Sequence, residues 1–274
     1  MLSVQTNNAS LIAQNSVNKS NDLLANAMER LSTGLRINSS ADDAAGLQIA
    51  TRLNANVTGM ETASRNVSDA TSMLQTADGA LDELTSIANR QKELATQAAN
   101  GVNSDKDLKA LDDEFQQLTA EMTRIIGETT YAGNKLFDVL DTGTTFQIGA
   151  SSSETLDVKV AKVNLADLAG GGEDVTSLDL ATDASAAMDM VDTLVDIVGE
   201  SRSTLGANIN RLAHTASNLA NVTENTKAAA GRIMDTDFAV ESSNMTKNQL
   251  LVQAGTNILS SANQNTGLVL GLLN

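Results

Sequence analysis

The chain has 274 residues and a formal net charge of −16, and it contains no Pro, no Cys and no Trp. This excludes disulfide frameworks, thiolate metal sites and thiol nucleophiles, and the acidic balance opposes binding to nucleic-acid phosphates. A lack of Pro combined with only 2% aromatic residues points to long helices in thin layers, because Pro inside a helix removes a donor and clashes with the preceding turn.

Residues 1–18 carry no charged side chain, and neither do residues 248–274. Both ends keep helical apolar spacing: Leu24, Met28, Leu31 and Leu35 near the start, and Leu251, Ile258, Leu259 and Leu270 near the finish. An uncharged amphipathic helix is expected to enter an interior or meet another subunit, since soluble surfaces are normally charged. No apolar run approaches the roughly 18 residues of a membrane span. The N-terminus lacks the basic and apolar regions of a secretory signal peptide, so export is expected by another route, without cleavage.

Further along, Leu53, Met60, Val67, Leu74, Leu81, Ala88 and Ala95 recur every seven residues, with Ala63, Ala70, Ala77, Leu84 and Ala98 in the second heptad position. That is a coiled-coil seam whose small residues let helix axes approach closely. Ser39 or Ser40 is expected to cap this helix, with Asp42 and Asp43 in its first turn. Gly101 is expected to close it in the left-handed region. A second helix starts at a Ser104/Asp107 capping box and continues through Leu108, Leu111, Phe115, Leu118, Met122 and Ile125; the short connection makes the two antiparallel.

The period then changes to two, in Phe146–Ile148 and Leu156–Val160, which predicts a β-hairpin near 144–161. A loop is expected over 164–180. Heptads return at Val191, Val198, Leu205, Leu212 and Leu219, and helix is expected to the C-terminus with a break around Gly231–Asp237. The predicted fold is mainly α: an elongated antiparallel helical bundle of N- and C-terminal segments with a small β-hairpin. Residues 1–40 and 232–274 are expected to pair as terminal helices, and residues 41–231 to form a rod-like bundle.

The segment LSTGLRINSSADDAAGLQIA, Leu31 to Ala50, closely resembles the N-terminal signature of bacterial flagellins, with Gly34, Arg36, Asn38, Asp42 and Asp43 as its distinctive positions. Ala63–Leu81 and KELATQAANG, Lys92 to Gly101, agree with it. At the other end, RIMDTDFAVESSNMTKNQLLVQAGTNILSSANQ, Arg232 to Gln264, is similar to the flagellin C-terminal region. One departure is Asn265-Thr266-Gly267, where family members often carry Pro.

The resemblance implies a self-polymerising structural subunit of the extracellular flagellar filament, compact and without outer domains. Its implied partners are copies of itself, the flagellar cap, the hook–filament junction proteins, an export chaperone and the flagellar type III export apparatus. Nucleic acid, membrane, cofactor and metal are not expected. Leu24, Met28, Leu31, Leu35, Leu251, Ile258, Leu259 and Leu270 are then candidates for the inner core of the filament, and Gly34, Arg36, Asn38, Asp42 and Asp43 for a hinge. Arg90, Leu94 and Glu114 match positions of the innate-immune receptor epitope of many flagellins, although Gln91 and Thr96 differ from the commonest neighbours. Thr142, Thr144, Thr145, Ser151, Ser152 and Ser153 lie where some members are O-glycosylated, and turn formation accounts for the same composition.

Other readings have less support. His214 alone cannot form a His cluster for a metal. Asp42–Asp43 and Asp112–Asp113 fit helix starts and solvated faces better than general acid–base chemistry. No HExxH, P-loop, GxSxG or dinucleotide fingerprint is present, so no enzyme activity is expected. A chemoreceptor-like signalling hairpin shares the Ala-rich heptads but fits the uncharged ends and the β-hairpin poorly.

Overall fold

The computed structural model describes residues 7–163, 165 and 179–272, with side chains described for all of these except Ala181 and residues 265–272. In chain order come α1 (Asn8–Thr33), α2 (Ala44–Ala98), α3 (Asp105–Glu128), β1 (Thr130–Tyr131), β2 (Asn134–Lys135), α4 (Leu136–Thr142), β3 (Thr144–Gln147), β4 (Thr155–Val158), α5 (Leu180–Met234) and α6 (Phe238–Leu272). Internal packing divides into two units, Met1–Ala55 with Asn225–Asn274, and Asn56–Glu224. The loop expected over 164–180 lies outside the described residues except at Leu165, Asp179 and Leu180, where α5 has already begun.

In the second unit the heptad seam is the core. Leu74, Ala77, Leu81, Leu84, Ala88 and Ala95 of α2 are fully buried with Leu205 and Leu212 of α5 and Phe115 and Met122 of α3. Ala77, Ala88, Ala95 and Ala98 on the seam keep the layers thin, and the burial follows the sevenfold repeat. Ion pairs flank the seam: Arg202 bonds Asp78 at 3.0 Å and Asp82 at 2.7 Å, and Lys92 pairs with Asp192. Such exposed pairs contribute little each; they favour one helix register over its neighbours.

Gln91 interrupts the apolar seam. It is fully buried, and its amide donates to Phe115 O at 3.2 Å and Thr119 Oγ1 at 2.8 Å, while its own Oε1 has no partner among the described residues. An orphaned buried carbonyl costs on the order of 1–3 kcal/mol. Gln91→Leu is therefore expected to stabilise the subunit by about 1 kcal/mol, because the Thr119 hydroxyl keeps its own bond to Phe115 O. Chemical denaturation reads this as a raised midpoint at unchanged slope; a lowered midpoint would show that the amide bonds outweigh the orphaned oxygen.

The helix ends correct two expectations. Neither Ser39 nor Ser40 caps α2. Asp43 Oδ1 accepts the N–H groups of Ala45 at 3.1 Å and Gly46 at 2.9 Å, while Asp42 Oδ2 accepts those of Asn38 and Ser39. Carboxylates win these donors because charge-assisted hydrogen bonds are the stronger ones. Gly101 does not close α2 in the left-handed region; the described glycines with positive φ are Gly34, Gly133 and Gly143. The end of α2 tightens instead, with Asn100 N–H donating to Gln97 O and Asn103 N–H to Asn100 O. The Ser104/Asp107 capping box of α3 forms as expected.

β3 and β4 make the predicted hairpin, pairing Thr144 with Val158 and Phe146 with Leu156, and burying Leu156 and Val158. Asn66 of α2 donates to Gln147 O at 3.2 Å and ties the hairpin to the helix. A second ladder, β1–β2, turns through Ala132 (φ 51°) and Gly133 (φ 84°) and leads into α4, whose Leu136, Phe137 and Leu140 are buried. Asp112 has a structural task, since its Oδ1 accepts Leu180 N–H at 3.1 Å at the start of α5. No helix among the described residues is long and apolar enough to cross a membrane.

Candidate functional site at the paired chain ends

The first unit brings the two uncharged ends together. α1 and α6 pack against each other antiparallel: Asn7 Nδ2 donates to Ala262 O at 2.9 Å, and Arg30 lies 3.9 Å from the buried carboxylate of Glu241. The residues that face across are mostly small. Ala13, Val17 and Ala27 are buried, and a methyl group added at Gly255 would come within 2.5 Å of Val17 Cγ2. Leu24, Leu31, Leu35 and Leu259 are half-buried.

The bulkier residues sit one position earlier. Ile12 and Leu23 of α1 are 61% and 46% exposed, and Val240, Leu251 and Ile258 of α6 are 55%, 46% and 60% exposed. Each precedes a facing residue by one, a rotation of about 100° in the same sense on both helices. In an antiparallel pair these preceding positions fall on the same side. The outcome is a largely apolar row along one side of the pair, interrupted by the exposed Lys19 and Lys247, which fall at the same helical phase. Met28, an inner-core candidate, follows the buried Ala27 by one position and is 50% exposed on the other edge. Leu270 lies outside the residues whose side chains are described.

A stitch joins the two connections that lead into this pair. α1 ends at Gly34 with φ 74°, whose N–H donates to Arg30 O. Gly34 O then accepts Thr236 N–H at 3.0 Å, Arg36 N–H donates to Met234 O at 2.6 Å, and Leu35 bridges Asp235. The Arg36 guanidinium adds a bond from Nη2 to Ile233 O at 2.8 Å. Asn38 Nδ2 donates to Leu35 O, and Asp237 Oδ1 accepts Ala239 and Val240 N–H to start α6. Of the hinge candidates, Gly34 and Arg36 thus bond across to the other segment, while Asn38, Asp42 and Asp43 shape their own loop. Sequence reasoning missed Thr236 and Asp235, whose bonds use backbone atoms that any residue supplies.

The backbone N–H groups of Ser39 and Asn38 hold Asp42 below the ordinary carboxylate range, with help from the Ser39 hydroxyl. A depressed folded-state pKa contributes stability that is present above the unfolded value of about 3.9 and is lost as pH falls through the folded one. The loop is therefore expected to stay closed through mild acid and open only below the usual Asp range. Hydrogen exchange at Ser39 N–H checks this; an onset of opening near pH 5 would contradict it.

The other candidates lie in the second unit. Arg90 donates to Glu114 Oε1 through Nε and Nη2, at 3.0 and 2.8 Å, and to Glu93 through Nη1, all exposed. Leu94 is 1% exposed and belongs to the core, so only Arg90 and Glu114 of that trio offer a surface. Thr142 bonds Asp138 O and Val139 O, Thr144 bonds Val139 O and Thr145 bonds Asp157. Ser151, Ser152 and Ser153 are exposed in the hairpin turn.

Two family profiles match. Bacterial flagellin N-terminal helical region covers residues 4–142, and bacterial flagellin C-terminal helical region covers residues 188–273. The chain is 45% identical to a flagellin of Halalkalibacterium halodurans over 90% of both chains. It is 37% identical to a flagellin of Listeria monocytogenes over the full length of both. Its fold also resembles that of a Vibrio parahaemolyticus protein assigned as flagellar hook-associated, with a TM-score of 0.62 at 13% identity, over 71% of this chain and all of the other. On these matches and the paired helical ends, the chain belongs to the bacterial flagellin family, the structural subunits of the flagellar filament.

Proposed function

We propose that this flagellin subunit joins the filament by burying the Ile12, Leu23, Val240, Leu251 and Ile258 side of the α1–α6 pair against neighbouring copies, with the Gly34–Thr236 stitch as the hinge that aims it. The exposed apolar row, with Ile12, Leu251 and Ile258 in the uncharged end segments, carries the reading. Each of its residues has roughly half its surface left to bury, worth about 1 kcal/mol apiece, and every subunit repeats the gain. A lone pair of such helices leaves much apolar surface in water, so ordering of the ends is coupled to polymerisation. Subunits then travel to the growing tip with their ends unfolded, through the flagellar export apparatus and escorted by a chaperone that covers α6.

Hydrogen exchange on free subunit and on filament tests the coupling. Amides of α1 and α6 are expected to exchange fast in the subunit and to become strongly protected in the filament, while the α2 seam is protected in both. Strong protection of residues 8–30 in the free subunit would overturn it.

A second surface has a specific observation behind it. The exposed Arg90–Glu114 pair is the accessible part of the flagellin innate-immune epitope, and a reporter-cell assay with monomer should respond to wild type and lose at least about tenfold in potency with Arg90→Ala, the loss of a charge-assisted bond. A silent wild-type subunit would reject the role.

A further inference from the structure

Asparagine deamidates when the next backbone nitrogen attacks its side-chain carbonyl, and a small following residue leaves that approach open. Four steps in this chain place Asn before Gly or Ser: Asn15–Ser16, Asn38–Ser39, Asn100–Gly101 and Asn103–Ser104. The fold occupies the nucleophile in three of them. Ser16 lies inside α1, with its N–H in the helical ladder. Ser39 N–H is held by Asp42 Oδ2 at 2.9 Å, and the Asn38 amide by Leu35 O. Ser104 N–H is held by Asp107 Oδ2 at 3.1 Å, and the Asn103 amide donates to Gln97 O at 2.6 Å.

Asn100–Gly101 differs on every count. Both residues are exposed in the turn after α2. The hydrogen bonds of Asn100 to described residues use only its backbone, its N–H donating to Gln97 O and its carbonyl accepting from Asn103 N–H. Among the described residues Gly101 N–H has no acceptor, and nothing lies within 4 Å of the place a Gly101 Cβ would take. An exposed turn is also where local distortion is least costly.

We propose that Asn100 is the site at which the native subunit deamidates. Gly101 N gives up its proton to a base in solution and bonds to Asn100 Cγ; the Cγ–Nδ2 bond breaks and ammonia leaves, giving a five-membered succinimide. Water opens that ring at either carbonyl, to aspartate or to isoaspartate, with no change of oxidation state. Either product places a negative charge at the C-terminal end of α2, where the helix dipole is already negative, and Asp105 and Asp107 follow a few residues on. Isoaspartate also lengthens the backbone of the α2–α3 turn by one atom. The modification thus marks the age of a subunit at a defined turn.

The test incubates intact subunit at pH 8.5, beside the same chain unfolded in guanidinium chloride, and follows the tryptic peptides Ile37–Arg52 and Glu93–Lys106 by mass spectrometry with an isoaspartate-specific methylation assay. Asn100 is expected to convert in the native subunit within about threefold of its unfolded rate, while Asn38 and Asn103 are slowed about tenfold or more by folding. Gly101→Ala, which the open turn accommodates, should slow Asn100 by about tenfold or more and leave the other sites unchanged. Protection of native Asn100 as strong as that of Asn38, or native Asn103 keeping pace with it, would overturn the proposal.

Discussion

Replacing Leu251 and Ile258 together by Ala is expected to raise the subunit concentration needed for polymerisation on the order of a hundredfold, with the melting temperature of the free subunit unchanged. The two side chains are 46% and 60% exposed in the subunit, so little intramolecular packing is lost, and surface changes of this kind stay within about 0.5 kcal/mol. If neighbouring copies cover them, each truncation forfeits about 1–1.5 kcal/mol of burial, and a combined loss near 2–3 kcal/mol corresponds to that shift in concentration. Sedimentation of filaments over a concentration series measures it. Gln249→Ala and Gln253→Ala are the controls. Both residues are exposed on the same helix, each two positions from Leu251 and so about 160° around from the row, and each change should shift the threshold by less than about threefold.

Gly34→Val is expected to cost about 2–3 kcal/mol within the first unit and to reduce filament yield severely. At φ 74° a β-branched residue is held in a region that L side chains enter only with strain. Relaxing that strain rotates the two peptides that flank Gly34, one whose carbonyl accepts Thr236 N–H and one whose N–H closes α1, so both segments of the stitch separate together. Arg36→Ala is the milder companion. It removes the guanidinium bond to Ile233 O but keeps the backbone bond from Arg36 N–H to Met234 O, and about 1 kcal/mol and a partial loss of yield are expected. Differential scanning calorimetry of filaments, in which α1 and α6 are ordered, and filament yield read the two variants side by side; a Gly34→Val subunit that assembles normally would remove the hinge role.

The seam of the second unit was legible because a sevenfold apolar repeat leaves few alternatives for which side chains turn inward. The β3–β4 hairpin showed itself by alternation. β1, β2 and α4 did not, since two-residue strands have no period and Leu136, Phe137 and Leu140 form too short an apolar run to define a helix face. At the chain ends the apolar residues were legible, but not which of them face the partner helix. The close contact of α1 with α6 uses Ala13, Val17, Ala27 and Gly255, while Ile12, Leu23, Leu251 and Ile258 turn outward. Size alone suggests that the bulkiest side chains face the partner helix, whereas a close approach of axes requires small ones there. The stitch was legible only as a signature around Gly34, because bonds such as Thr236 N–H to Gly34 O leave no trace in side-chain chemistry. Arg90 and Glu114 lie on adjacent helices and bond each other, but Leu94 falls one residue before the seam residue Ala95, outside both heptad positions, so the repeat gave no sign of its burial.

The central claim is that the uncharged chain ends carry assembly, and electron microscopy of polymerisation tests it most directly. Full-length subunit and a version ending after Lys247 are incubated with sulfate, which strengthens apolar burial and screens the acidic repulsion, with and without filament seeds. The account predicts filaments from the full-length chain alone, since the shortened chain lacks Leu251 and Ile258. Filaments of normal length from both chains, or from neither even when seeded, would contradict it.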